Sequence, residues 1–277
     1  MNSAIRGGAF RWLAGGVPAV VVEVIEARGS VPREAGTRMV VSREEVLGTI
    51  GGGHLELKAI AFARDRLNDQ EPAEQHFALG PALGQCCGGA VTLRHAPLSA
   101  DALAAWPVPT PRFTLQLYGA GHVGRAIVDV LAQIDCRVQW IDERESEFPQ
   151  HTIHPPHIER VCVEPVEAEV AMAPPGAYYL VLTHSHDLDL AITEAVLRRG
   201  DFGFLGLIGS QTKRVRFLRR FEERGITPTT LARMTCPIGL PGITGKEPPV
   251  IAVAVVAQLL ARSGSMKPGT DGSAPGV

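Results

Sequence analysis

The sequence predicts an α/β protein: an N-terminal mixed α/β domain followed by a Rossmann-like domain with a parallel sheet. Three observations carry that expectation. Residues 113–142 read in succession as strand, glycine turn, helix and second strand. Strands and helices then alternate to about residue 260. The β-branched, glycine-punctuated segment before residue 97 is set off from them by a cluster of prolines. The chain accordingly divides into a first domain over 1–96, a proline-rich linker over 97–112, a Rossmann-like domain over 113–262 and a disordered tail over 263–277.

Residues 1–16 read as a short helix with Phe10, Trp12 and Leu13 on its apolar side, stopped by Gly15 and Gly16. Pro18–Ile25 is rich in β-branched residues and reads as a buried strand. The loop Arg28–Arg38 holds three arginines between two strands. Such a loop is either a solvated connection or a grip for an anion, since guanidinium offers bidentate donors. A hairpin is expected over Arg38–Ser42 and Val46–Ile50. Gly51, Gly52 and Gly53 then open a helix from His54 to Leu67, and glycines at a helix start leave backbone amides free to meet an anion.

Strands are expected again over Glu74–Leu79 and Ala90–His95, with Leu83–Gly89 between them. Cys86 and Cys87 sit in this glycine-rich turn, where backbone amides can stabilise a thiolate, the nucleophilic and metal-ligating form. The alternative is two small residues filling a tight turn.

The fingerprint lies in Gly119-Ala-Gly121-His122-Val-Gly124. The first glycine makes the turn, the second admits a pyrophosphate and the third lets helix pack on sheet. Asp142 ends the second strand, where an acid accepts from a ribose hydroxyl; a dinucleotide held there would be NAD-like, because a carboxylate repels a 2′-phosphate. His151, His154 and His157 are read as a polar loop, because two prolines exclude the helix that would align them. His184 and His186 follow the next strand, at the carboxyl end where open α/β sheets bind ligands. Their H-x-H-D-x-D run admits a metal, a proton-transfer role or a polar strand end capping the next helix. A helix from Leu190 to Arg199, a strand Phe202–Gly209, a basic helix with Val215, Leu218 and Phe221 buried, and an apolar helix from Pro248 to Leu260 complete the reading.

Composition sets bounds. With 277 residues the chain can bury two cores; 45% hydrophobic and 20% charged residues are those of a soluble globular protein. The net charge of −2 gives no reason to expect nucleic acid or an acidic membrane surface as partner. No apolar run approaches the ~20 residues of a membrane span, and no signal-peptide core is visible, so a cytoplasmic protein is expected. Five irregularly spaced cysteines suit reduced thiols.

Gly29-Ser-Val-Pro-Arg33, Gly48-Thr-Ile-Gly-Gly-Gly53-His-Leu-Glu56, Gly84-Gln-Cys-Cys-Gly-Gly89, Gly119–Gly124, Thr183-His-Ser-His-Asp187, Leu207-Ile-Gly-Ser210 and Cys236-Pro-Ile-Gly239 occur in that order. Together they resemble the XdhC/CoxI family of xanthine dehydrogenase accessory proteins, over residues 10–262. The resemblance implies an XdhC/CoxI-type first domain, a Rossmann second domain and a homodimer. It also implies a chaperone that binds molybdenum cofactor (molybdopterin), holds it while a cysteine desulfurase supplies a sulfido ligand, and delivers it to xanthine dehydrogenase. The family's C-G-G cysteine falls on Cys87, the metal-contact candidate, with Cys86 beside it, and the duplication leaves open which of the two thiols would touch molybdenum or carry sulfur. Arg33, Arg38 and Gly51–Gly53 would hold the phosphate. Two rivals are an NAD-dependent oxidoreductase using the Rossmann domain and a metal-dependent hydrolase centred on His184 and His186.

Overall fold

The computed structural model describes residues 2–69, 71–79, 88–106, 110–150, 152 and 154–265. The chain forms two compact units, Met1–Pro109 and Thr110–Val277.

In the first unit the β-branched run forms β1 (Ala19–Arg28), at the centre of an antiparallel sheet with β2 (Arg38–Ser42), β3 (Val46–Gly48), β4 (Ala73–Ala78) and β5 (Ala90–Pro97), in the order β3-β2-β1-β5-β4. Strand alternation sorts the side chains onto two faces. Val20, Val22 and Val24 join Met39, Val41, Val91 and Leu93 beneath Leu55, Ala59 and Ala63 of α2 (Gly53–Asp65). Ala19, Val21 and Val40 face the other way, against Ile5 and Ala9 of α1 (Asn2–Ala14) and against Leu103 and Trp106. Phe10, expected on the buried side of α1, is exposed, because the inward stripe runs through Ile5 and Ala9, four residues apart.

Part of the expected linker is folded onto this unit. The Leu98 amide donates to the Ala19 carbonyl, Ser99 caps α3 (Ala100–Ala104), and Leu103 and Trp106 are buried. The reason lies in proline spacing: Leu98–Trp106 is proline-free and opens with a helix-capping serine.

The second unit is a six-stranded, wholly parallel sheet of β6 (Thr114–Tyr118), β7 (Arg137–Asp142), β8 (Ile158–Cys162), β9 (Tyr178–Val181), β10 (Phe204–Leu207) and β11 (Met234–Thr235). Its order, β11-β10-β9-β6-β7-β8, is doubly wound, with the chain reversing direction across the sheet between β6 and β9. Helices α4 (His122–Leu131) and α8 (Pro248–Ser265) pack on one face through Ile127, Val128, Leu131, Ala252, Val255 and Leu259. Helices α5 (His186–Arg199) and α6 (Gln211–Glu223) cover the other. The short helix α7 (Pro228–Leu231) leads into β11.

Helix α5 begins four residues before the expected Leu190, because Ser185 caps it by accepting from the Leu188 amide at 3.4 Å. The buried pair on α6 is Phe217 and Phe221; Val215, expected inside, is 65% exposed. Strands β8 and β11 were not anticipated from the sequence. Both are sheet edges, where little apolar signal is required. Among the described residues no helix is long and apolar enough to cross a membrane.

Candidate functional site

Three of the sequence motifs meet at one end of the first unit's sheet. Gly29 follows β1 with φ 70°, and a Cβ on it would lie 3.2 Å from the Gly89 Cα. A Cβ on Gly89 would fall 2.4 Å from the Ser30 carbonyl oxygen and 2.5 Å from that of Arg28. One on Gly51, at φ 124°, would fall 2.5 Å from Pro32. The loop Gly29–Arg33 thus touches Gly89 through backbone that admits no side chain, and Gly51 through the Pro32 ring. Cys86 and Cys87 lie outside the described residues, which resume at Gly88.

The amides of the glycine turn already serve a carboxylate. Glu56, in the first turn of α2, reaches back so that its Oε2 accepts from Ile50 N at 3.0 Å, from Gly52 N at 3.1 Å and from the Thr49 hydroxyl. Gly51 N donates to Thr49 Oγ1. No side chain caps the helix itself by accepting from its first-turn amides, and the Glu56 carboxylate on the N-cap Gly52 amide already lies at the positive end of its dipole.

The two arginines assigned to the phosphate differ. Arg38 is bound internally: its Nη2 lies 2.5 Å from Glu23 Oε1 and its guanidinium sits 5.3 Å over Trp106, on the α1 and α3 face of the sheet. Arg33 is half-buried beside Gly51 and has no ion pair or hydrogen bond among the described residues.

In the second unit the glycine turn has the anticipated stereochemistry. A Cβ on Gly119 would strike the Leu182 carbonyl at 2.3 Å, one on Gly124 would strike the Gly119 carbonyl at 2.1 Å, and Gly121 faces open space. His122 is the first residue of α4, after the N-cap Gly121.

Asp142 is engaged by the protein itself. Its Oδ2 accepts from Ala120 N at 2.7 Å and Arg144 Nη2 at 3.0 Å, and its Oδ1 from Arg144 N and Nε at 3.0 and 2.9 Å. Burial alone would raise its pKa, but the Arg144 guanidinium and the two amides outweigh burial and hold it below the usual carboxylate value. A ribose hydroxyl would have to displace Arg144 from this carboxylate.

His184 and His186 part company. His184 is 41% exposed, with Nε2 3.6 Å from Glu143 Oε1 at the end of β7. His186 opens α5 and lines a separate cavity with α6 residues. Behind them Asp189, 2% exposed, accepts from Thr183 N and Oγ1 and pairs with Lys213 Nζ at 2.5 Å; Lys213 also donates to the Ile208 carbonyl. This pair ties the end of β9 to the start of α6. Among the described residues no group of three or more His, Cys, Asp or Glu side chains is arranged to hold a metal.

Sequence reading missed Arg144 and the Asp189–Lys213 pair. An acid in a helix's first turn after a glycine run was the available signal for Glu56.

Comparison with known proteins agrees with this layout. The chain is 30% identical over 253 residues to a protein of Escherichia coli K12 named uncharacterized protein YqeB; the match takes in 88% of this chain, which spans only 43% of that protein's length. A solved structure described as a xanthine dehydrogenase from Bacillus halodurans superposes with a TM-score of 0.73 at 19% identity, covering 96% of this chain and 97% of that one, and establishes likeness of fold. Residues 12–78 match the XdhC and CoxI family, and residues 115–259 match the XdhC Rossmann domain. With two family matches in consecutive order, the second over more than half of its length, the chain belongs to the XdhC/CoxI family.

Proposed function

We propose that this chain is a carrier of molybdenum cofactor and not itself a catalyst. Membership of the family suggests an accessory role related to that cofactor. The finer reading is that a homodimer of the chain holds molybdopterin-bound molybdenum while a cysteine desulfurase supplies sulfur, then passes it to xanthine dehydrogenase.

The observation that carries this reading is the meeting of the three glycine loops beside Arg33. The cofactor is an anionic, phosphate-bearing pterin with a sulfur-ligated metal. The residues fit its phosphate: an unpaired guanidinium, a helix start without a side-chain cap, and backbone kept bare by glycine. Arg33 would neutralise the phosphate and the first amides of α2 would orient it. Arg38, held by Glu23, would tie β2 to β1 behind the site. Cys86 or Cys87, next along the chain from Gly88, would supply the thiolate. The bound cofactor supplies the molybdenum chemistry used by the client enzyme.

The Rossmann unit has an anion site of its own to offer. An anion could meet the uncapped start of α4 at Gly121 and His122, and a dinucleotide there would have to do without a free Asp142. Mass spectrometry of the small molecule that co-purifies with the native chain tests the reading: a molybdopterin species is expected, and a nicotinamide dinucleotide alone would replace the carrier by an oxidoreductase.

A further inference from the structure

Between the first turn of α5 and the first three turns of α6 lies a cavity of about 310 Å³ lined by His186, Thr212, Arg216, Phe217 and Arg220, with Asp187 the one carboxylate among its lining residues. The cations of α6 fall into two sets. Lys213 is paired with Asp189, Arg214 donates to the Met234 and Cys236 carbonyls, and Arg219 is paired with Glu223. Arg216 and Arg220, both exposed, have no partner among the described residues, and they line the cavity together with the paired Lys213. They are four residues apart, hence on one helix face, one and two turns beyond Thr212. Like charges at that spacing weaken a helix slightly. A bound anion would offset that repulsion. The positive end of the α6 dipole points to the same place.

We infer that this cavity binds the phosphate of a small organic phosphomonoester. Two guanidiniums supply the forked donors and the charge that a phosphate dianion requires. The volume is at the lower bound for small-molecule pockets, roughly 300 Å³, and exceeds what the ion alone needs, so an organic group fits against the Phe217 wall. None of the cavity's lining residues belongs to the Gly119–Gly121 turn that follows β6, and the inference does not depend on the carrier reading.

Calorimetric titration of the full chain at low ionic strength, with inorganic phosphate and with phenyl phosphate as probes, tests this. Phenyl phosphate should bind more tightly than inorganic phosphate, and Arg216→Ala and Arg220→Ala should each weaken both by about tenfold. Arg219→Ala removes the same charge from the same helix at an 82% exposed position and should change neither by more than about twofold. Equal weakening by Arg219→Ala would reduce the effect to general attraction by a basic helix and overturn the site. Absence of binding, or binding unchanged in the Arg216 and Arg220 variants, would overturn it too. A preference for inorganic phosphate would remove the organic ligand.

Discussion

Both units turn a chain into a helix through a glycine-rich loop, and in both an internal carboxylate sits on the loop's amides; what differs is the fate of the cation. In the second unit Asp142 is 5% exposed and neutralised by Arg144, so the turn is a closed clamp between β6, β7 and α4. In the first unit Glu56 is half-buried and makes no ion pair among the described residues, while Arg33 stands unpaired nearby, beside Gly51. The clamp spends its charges on folding. The open loop keeps a charge for something outside the chain.

If that distinction holds, substitutions at the paired charges of the second unit should cost stability, and substitution of Arg33 should cost ligand. The largest loss should follow Asp189→Ala, which strands Lys213 at 11% exposure: about 3–5 kcal/mol by urea unfolding. A loss under 1 kcal/mol would show that water replaces the pair and that the second unit is not held by its internal charges.

The units should also separate on acidification. His95, in the first unit, is 1% exposed, lies edge-on to Phe62, and has no hydrogen bond to either ring nitrogen among the described residues. Burial, helped by Arg66, lowers its pKa from 6.5 to about 4. The unfolded chain therefore takes up the proton first; stability is complete above pH 6.5 and falls as pH drops toward 4, by up to about 3 kcal/mol. Asp142 is lowered instead, so its contribution persists until pH falls below the usual carboxylate value. Hydrogen exchange at pH 4.5 should loosen β1 and β5 while β6 and β7 hold. His95→Leu should flatten the first response, and an unchanged profile would remove His95 as its source.

A smaller effect is expected from Asp142→Ala, about 2 kcal/mol, since Arg144 is 32% exposed and can return to water. Smallest of all is Arg33→Ala, within about 0.5 kcal/mol in thermal unfolding. That variant should nonetheless retain less molybdenum cofactor on purification. Retention equal to the unaltered chain would close the comparison, because neither loop would then hold a charge for a ligand.

The sequence makes some of these features legible and hides others for physical reasons. Gly119, Gly121 and Gly124 announce themselves because each meets a separate stereochemical demand, and strand and helix periodicities do the same for β1, β6 and α8. The partner of Asp142 is not announced: an acid at a strand end looks the same whether it awaits a ribose or holds Arg144 two residues on. His184 and His186 alternate as if on one strand face, but the capping by Ser185 turns the chain into α5 and sends them to different places. Nor does spacing reveal that Gly29, Gly51 and Gly89 converge, since it takes the antiparallel pairing of β1 with β5, of β1 with β2 and of β2 with β3 to bring those distant loops to one end of the sheet.

The carrier reading makes a stoichiometric demand. Chain loaded with sulfurated molybdenum cofactor, added in increments to apo xanthine dehydrogenase without free cofactor, should restore client activity in proportion to the amount added, to a limit of about one cofactor per chain, with activation set by ligand transfer alone. A catalytic excess, with many client molecules activated per chain and none of the cofactor replenished, would contradict the account.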